Sequence, residues 1–475
     1  MSVETLKPTS SLSFLVAEFA NRLQFDEIPD DIRSCVADHL LDTLGVGMAG
    51  RNAAPSKAIH SLVMKYGGQP QASVISGGDI RYPAPAAALV NGTYCHAMDF
   101  DDMHSASVLH PSAPVLPSVL AVAETTGATG QEFLTALTVG YEVVLRLGLA
   151  QYDEAGKNST FFQHGFHATS ILGTVAGAVA CARLRRLTTM QIANALAISC
   201  SMGAGILEAN RSGGTVKPVH CGWAAHGAVL AADMAAEGVS GPQTVLEGGF
   251  GFFPAFCGEE WSEAPLREIG NGNDWIIPSM TFKPYPCNGF THSIVDAGLK
   301  LRQDGLDAAD ITKIEIGTAA PSWRTIGDPI EEKRNPQTPY HAAFSAPYVL
   351  ACALLGGSGL GVGASDFSES RLQDAEQREL MSKCDVVVDQ QCTDEFPKHA
   401  PGVVKVWMRD GSVREQRVTA RRGGVENPLS RDELMIKLGD TAGYHAEDLT
   451  AAVAVLNGAP NIEELFSAMN EKSPR

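Results

Sequence analysis

The segment AMDFDDMHSASVLHPS, residues 97–112, places Asp99, Asp101, Asp102, His104 and His110 in surroundings otherwise rich in Ala, Val and Leu. Each desolvated charge costs several kcal/mol unless it is partnered, so a stretch that only filled a core would have little use for them. Five of the thirteen histidines, His96, His104, His110, His164 and His167, fall within about seventy residues. In FFQHGFHATS the last two stand three residues apart, one helical turn if that segment is helical. Further on, RSGGTVKPVHCGWAAHG gathers Arg211, Lys217 and His220 around a Gly-Gly turn at the start of a helical pattern, where backbone N–H groups favour an anion. A fourth segment, TFKPYPCNGFTH, sets Lys283 between two helix-breaking stretches. Three segments thus offer imidazole and two offer cations. Proton abstraction beside a carboxylate needs this combination: a base that titrates near neutrality, and fixed positive charge for the substrate and for an enediolate-like transition state.

The elements that must position these groups are of two kinds. Residues 1–278 read as helical and rich in small side chains. DDIRSCVADHLLDTLGVG spaces Ile32, Val36, Leu40 and Leu44 as a helix, with Asp30 or Asp31 as its cap and Gly45 as its end. Similar patterns cover 113–125, 131–149, 168–184, 190–206 and 220–237, and their Ala and Gly content predicts helices packed with backbones close together. After Pro278 the character changes. ITKIEIGT alternates, CDVVVD is β-branched, and VVKVWMRDGSVREQRVTAR reads as two strands joined at Asp410-Gly411. A helix over about 341–355 lies between, which makes 279–423 an α+β domain. Ser430 and Glu433 have capping-box spacing before LMIKL, and the helices of 424–475 are expected to pack back on the first domain. The fold class is therefore mainly α with an α+β insert: a large all-helical domain plus a smaller α+β lid domain.

Composition removes several classes of function. With 54 acidic against 36 basic residues the net charge is −18, so a nucleic-acid or anionic-membrane partner is not expected. The longest near-apolar run, TSILGTVAGAVACA from Thr169, falls short of the ~20 residues that span a bilayer. Ten cysteines without a C-x-x-C pair fit reduced thiols in a cytoplasmic setting.

NGTYCHAMDFDDMHSASVLHPSAPVLPSVLAVAE, GFHATSILGTVAGAVACARL, GGTVKPVHCGWAAHGAVLAADMA, LEGGFGFF and KPYPCNGFTHSIVDA occur in this order. They resemble the successive signature blocks of the MmgE/PrpD family, and with TPYHAAFSAPYVLACALLGG the resemblance covers nearly the whole chain. The family embraces 2-methylcitrate dehydratase, cis-aconitate decarboxylase and iminodisuccinate epimerase. The resemblance implies a helical domain from the N- and C-terminal parts, a lid inserted between them, a site in the cleft, no organic cofactor and a homodimer. Carried over by residue, it implies Asp99, His110, His167, Lys217 and Lys283 as catalytic groups. Arg211, His104, Met103 and a lid tyrosine, Tyr340 or Tyr348, would contact substrate. Met103 departs from the family, many of whose members have Thr there; a weak thioether acceptor replaces a hydroxyl.

The expected function is a cofactor-independent lyase, a dehydratase or decarboxylase, acting on a small di- or tricarboxylate. Lys217, Lys283 and Arg211 would hold carboxylates, His110 and His167 would move protons, and Asp99 would orient a histidine or protonate a leaving group. The same groups would serve an epimerase with bases on two faces of a carbon. A carboxylate-binding protein without turnover is the alternative of another class. Magnesium and diphosphate chemistry at DFDD lacks a second acidic motif and an aromatic pocket, aromatics being 7% of the chain. A zinc or iron site at His164, His167 and His220 lacks a well-spaced third ligand, so no metal is assigned.

Overall fold

The computed structural model describes residues 11–153, 158–209, 214–272 and 274–470. The chain divides into two compact units. One comprises Met1–Ala97, Asp101–Met280 and Tyr444–Arg475; the other comprises Met98–Phe100 and Thr281–Gly443. The protein is mainly helical, with its strands confined to small sheets.

The first unit is built on α1 (Leu12–Arg22), α2 (Asp30–Gly50), α3 (Ala54–Tyr66), α4 (Ala84–His96), α5 (Ser112–Thr126), α6 (Gly130–Ala150), α7 (Ala168–Leu184), α8 (Thr189–Cys200) and α9 (Lys217–Ala236). Helix starts are set by side chains that satisfy exposed N–H groups: Thr129 with Glu132, and Thr188 with Gln191, form capping boxes on α6 and α8. At the centre, α7 packs on α5, α6, α8 and α9, and α9 packs on α4. The α4–α9 contact depends on two glycines. A Cβ on Gly222 would lie 2.3 Å from the Leu89 carbonyl oxygen, and one on Gly92 would lie 2.7 Å from that of Cys221. The helix α6 is long and apolar enough to cross a membrane, longer than the run from Thr169, yet 94% of its apolar window is buried inside the protein. It is a core helix.

Some boundaries differ from those expected. Gly45 does not end α2, which continues to Gly50; a Cβ on Gly50 would lie 2.1 Å from the Tyr94 carbonyl oxygen, so the last turn is shaped for contact with α4. The N-cap of α2 is Pro29, with Asp30 and Asp31 in its first turn. The pattern over 190–206 is helical only to Cys200.

The second unit carries α10 (His292–Gln303), β1 (Ile311–Thr318), α11 (Ala346–Leu355), β2 (Cys384–Val388), β3 (Gly402–Met408), β4 (Val413–Val418) and α12 (Arg431–Ala442). The sheet order is β2-β1-β3-β4, with β1–β2 parallel and the other pairs antiparallel. Ile314 and Ile316 are fully buried, opposite Cys384 and Val386 on one side and Val406 and Val404 on the other. Gly411, at φ 85°, closes the β3–β4 turn. The helix expected over 341–355 is two: Ser345 caps Tyr348 N–H and, with Pro347 behind it, restarts the chain as α11. Residues 424–443 belong to this unit and not to the helical one. Arg422 pairs with Glu433, the Ala364 N–H donates to Asp440 and Lys437 reaches the Phe100 carbonyl, which ties α12 here. Only from Tyr444 does the chain rejoin the first unit, as α13 (Ala446–Val455) and α14 (Glu463–Met469).

Replacing Gly222 by Ala should force α4 and α9 apart and cost about 1–3 kcal/mol, as overpacked cores do. Calorimetry should record a lowered thermal midpoint; an unchanged one would show that the helices do not need this close approach.

Candidate active site

Four helix ends of the first unit bring the ionisable residues together. α4 ends at His96, α5 begins just after the 101–111 loop, His167 is the residue before α7, and α9 opens with Lys217 and His220. The loop is fixed by Asp102, which is fully buried. Its carboxylate accepts from Ser112 N–H at 3.1 Å, from the Ser112 hydroxyl, and from His39 Nδ1 at 2.7 Å. Burial alone would raise its pKa, but the hydrogen bond and charge of His39, with the Ser112 bonds, hold it below the ordinary range. On His39 burial again opposes ionisation and is overcome by Asp102 and Cys35, which push the imidazole up to about 10. Asp102 and His39 are thus an ion pair inside the helical core.

That pair sets the orientation of His110. Its Nδ1 lies 2.8 Å from the Asp102 carbonyl oxygen, which can only accept, so Nδ1 carries the proton and Nε2 is the acceptor of the neutral ring. The same Nδ1 is 3.3 Å from Asp101 Oδ2, while the His110 backbone N–H donates to Thr169 Oγ1 at 3.0 Å. Asp101 also accepts from His96 Nδ1 at 2.7 Å. The His96 ring lies 4.9 Å from that of His110 and 5.6 Å from that of His167, and His167 lies 5.2 Å from His220. Four imidazoles therefore form a continuous row. The Nδ1 atoms of His167 and His220 are 3.1 Å apart, which requires one to donate and the other to accept. Burial, then the charges of His96 and Lys217, holds His167 well below the ordinary histidine value; burial and Lys217 hold His220 at about 4. Lys217 is buried at the head of the row.

Asp99 and Lys283 lie in the second unit, because the chain enters it at Met98 and leaves it after Phe100. Lys283 Nζ is 3.0 Å from the Asp99 carboxylate and donates to the Asp99 carbonyl at 2.7 Å; both side chains are buried. Asp99 has φ 52°, a left-handed conformation that a non-glycine residue keeps only where its surroundings enforce it. Lys437 donates to the Phe100 carbonyl at 3.0 Å and stands 4.2 Å over the Phe100 ring. His292 is held well below its ordinary value by burial and by Arg421 and Lys283.

Of the residues singled out in the sequence, His110, His167 and Lys217 share one neighbourhood, and Asp99 and Lys283 share another. Met103 is partly buried in the same loop as His110. His104 is turned to the Ser107 hydroxyl and burial holds it at about 4. Arg211 lies outside the described residues. Tyr348 is a core residue, its hydroxyl donating to the Asp366 carbonyl at 2.5 Å, whereas Tyr340 is partly buried against Phe344. His164 does not join His167 and His220; its Nδ1 is at the Phe256 carbonyl. Ligand-type atoms of His96, Asp101 and His110 lie within 4.8 Å of one another; His96 Nδ1 is hydrogen-bonded to the Asp101 carboxylate at 2.7 Å, and His110 Nδ1 stands 3.3 Å from it. His39, His96, His220 and Lys437 are the groups that sequence reasoning left out of the site. His96 and His220 were visible in the clustering of histidines, but nothing about the α2 or α12 patterns marks His39 or Lys437.

A row of imidazoles beside a buried ammonium group is the equipment of an enzyme that works by acid–base chemistry. The chain belongs to the MmgE/PrpD family: the MmgE/PrpD N-terminal domain matches residues 15–264 and the C-terminal domain residues 285–458. It is 28% identical to a cis-aconitate decarboxylase of Aspergillus terreus over 98% of this chain and 97% of the relative. It is 31% identical to a human cis-aconitate decarboxylase over 83% of this chain and 80% of the relative. A cis-aconitate decarboxylase-like protein of Aspergillus oryzae is 27% identical over 92% of each.

These charge states impose two limbs on stability. His39, raised in the fold, stabilises fully below about pH 6.5 and loses its contribution as pH rises towards about 10. His220 and His104, lowered in the fold, stabilise above about 6.5 and lose their contribution as pH falls towards about 4. Replacing His39 by Gln leaves the Asp102 charge buried alone, which should cost about 3–5 kcal/mol near neutrality and flatten the alkaline limb. Urea denaturation between pH 5 and pH 9 tests this, and an unaltered alkaline limb would contradict it.

Proposed function

We propose that the enzyme decarboxylates or dehydrates a small di- or tricarboxylate, with cis-aconitate the first candidate, using its own side chains as acids and bases. The observation that carries the reading is the row His110–His96–His167–His220 ending at buried Lys217. Decarboxylation of cis-aconitate breaks one C–C bond and releases carbon dioxide. The bonding pair stays on the carbon skeleton, delocalised through the alkene and a neighbouring carboxylate, until one proton is added. Lys217 supplies fixed positive charge for a carboxylate and for that delocalised anion. His110, aligned through Nδ1 by the Asp102 carbonyl, presents Nε2 as the atom that is protonated from solvent and delivers that proton to the carbon. Neutral His167 and His220 accept or donate hydrogen bonds to the substrate without adding charge that would compete with Lys217. The paired Asp99 and Lys283 are positioning groups in this reading. They hold the residues that immediately precede Asp101, and so set where the loop begins.

Epimerisation of a dicarboxylate is a second reading. It is favoured by the placement of His110 and His167 on two sides of His96, at ring separations of 4.9 and 5.6 Å, which offers two bases.

Cis- and trans-aconitate, citrate, methylcitrate and iminodisuccinate should be followed by NMR in deuterated water. The proposal expects carbon dioxide or water release with one deuterium placed on carbon for a decarboxylated product. Exchange with inversion and an unchanged carbon skeleton would replace it by the epimerase, and failure of all five would overturn both. His110→Ala and His167→Ala should each lower kcat by about 10²–10⁴ with the fold retained. Wild-type rates in both variants would refute these assignments.

A further inference from the structure

Away from the imidazole row, the first unit has a cavity of about 320 Å³ where the end of α2 meets one face of α3. We propose that it binds a small multivalent oxyanion, a carboxylate or phosphate, held by Arg51, Lys57 and the Tyr94 hydroxyl, with His60 taking up a proton as the anion enters. Its volume falls at the lower end of the ~300–1,000 Å³ range of small-ligand sites, enough for such an anion.

The lining is unusual for this protein. The chain has 54 acidic and 36 basic residues, yet Arg51, Lys57 and His60 face the cavity and none of the residues lining it is acidic. Lys57, His60 and Ser61 stand at i, i+3 and i+4, so they share one face of α3, and Asn52 adds an amide from the α2–α3 connection. Arg51 donates to the Ser76 carbonyl at 3.5 Å, which leaves most of its guanidinium N–H groups for a ligand. Among the described residues neither Arg51 nor Lys57 has a carboxylate within salt-bridge distance, although most other bases in the helical unit are paired.

The polar floor of the cavity explains the coupling to a proton. His60 Nδ1 is 2.7 Å from the Tyr94 hydroxyl and Nε2 is 3.0 Å from the Tyr82 hydroxyl. A neutral imidazole has one N–H and one lone pair, so one of the two tyrosines must donate to it. An anion beside Tyr94 draws that hydroxyl's proton towards itself. The Tyr94 oxygen then accepts from His60 Nδ1, and the charge of the anion favours the imidazolium, whose second N–H donates to the Tyr82 oxygen. The groups facing His60 are Tyr82 from the short strand Arg81–Tyr82, Tyr94 from α4, Arg51 just after α2 and Lys57 from its own helix. Burial lowers His60, and burial with the nearby Tyr82 pushes Tyr94 up to about 12, so Tyr94 keeps its hydroxyl proton throughout the working range.

Isothermal titration with citrate and with inorganic phosphate tests the proposal, and the tighter of the two identifies the ligand class. One binding event should persist in Lys217→Ala, tighten as pH falls from 8 to 6, and show proton uptake when buffers of different ionisation heat are compared. Loss of a charge-assisted contact should weaken it about tenfold or more in Lys57→Glu and in Arg51→Gln. Lys57 is exposed, so its substitution leaves the fold intact. Absence of binding, binding lost in Lys217→Ala, or affinity unchanged in both cavity variants would overturn the proposal.

Discussion

The arrangement of the candidate site depends on one buried ion pair, the His39 imidazolium with the Asp102 carboxylate. It joins the middle of α2 to the loop that precedes α5, and through the Ser112 N–H it also caps that helix. Because the carbonyl of the same Asp102 receives His110 Nδ1, the pair that holds the loop also selects the tautomer of the neighbouring imidazole. Neighbouring acids therefore have separate tasks. Asp102 is structural, while Asp101 accepts from His96 and faces His110.

The segment before Asp101 follows the same rule in the second unit. Two buried ammonium groups, Lys283 and Lys437, take the carbonyls of Asp99 and Phe100, and Lys283 also neutralises the Asp99 carboxylate. Asp99 is kept at positive φ by this clamp, a cost that ordinary loops avoid. The acidic run that looked extravagant as sequence is accounted for charge by charge. The global charge of −18 does not preclude local positive charge, because Lys217 is buried beside the imidazole row, where the dielectric is low and its field is strong.

Much of this organisation was legible in the residues. Alternation at Ile314 and Ile316, the Asp410-Gly411 turn and the capping residues Thr129, Thr188 and Ser430 are local signals, set within a few residues of the chain, and they marked their elements. The clustering of His96, His110 and His167 pointed to their neighbourhood for the same reason. What escaped was non-local. His39 sits in an ordinary amphipathic helix, and its partner is 63 residues away. The division of Met98–Phe100 from Asp101, and the attachment of α12 to the second unit through Lys437 and Asp440, are decided by contacts between residues 337 and 76 positions apart. Tyr340 and Tyr348 were indistinguishable by type, and only the core around Asp366 separates them.

The central claim is that the fold divides charge between two sets of buried histidines: His39 as a cation that fixes the loop, and His167 with His220 as neutral groups beside Lys217. Nitrogen NMR of the protein labelled with ¹⁵N-histidine reads protonation and tautomer directly. The account predicts that His39 stays doubly protonated up to about pH 9, while His220 remains neutral down to about pH 5 and His167 does not titrate in the ordinary histidine range. A neutral His39 at pH 7, with His167 and His220 titrating together near 6.5, would contradict it.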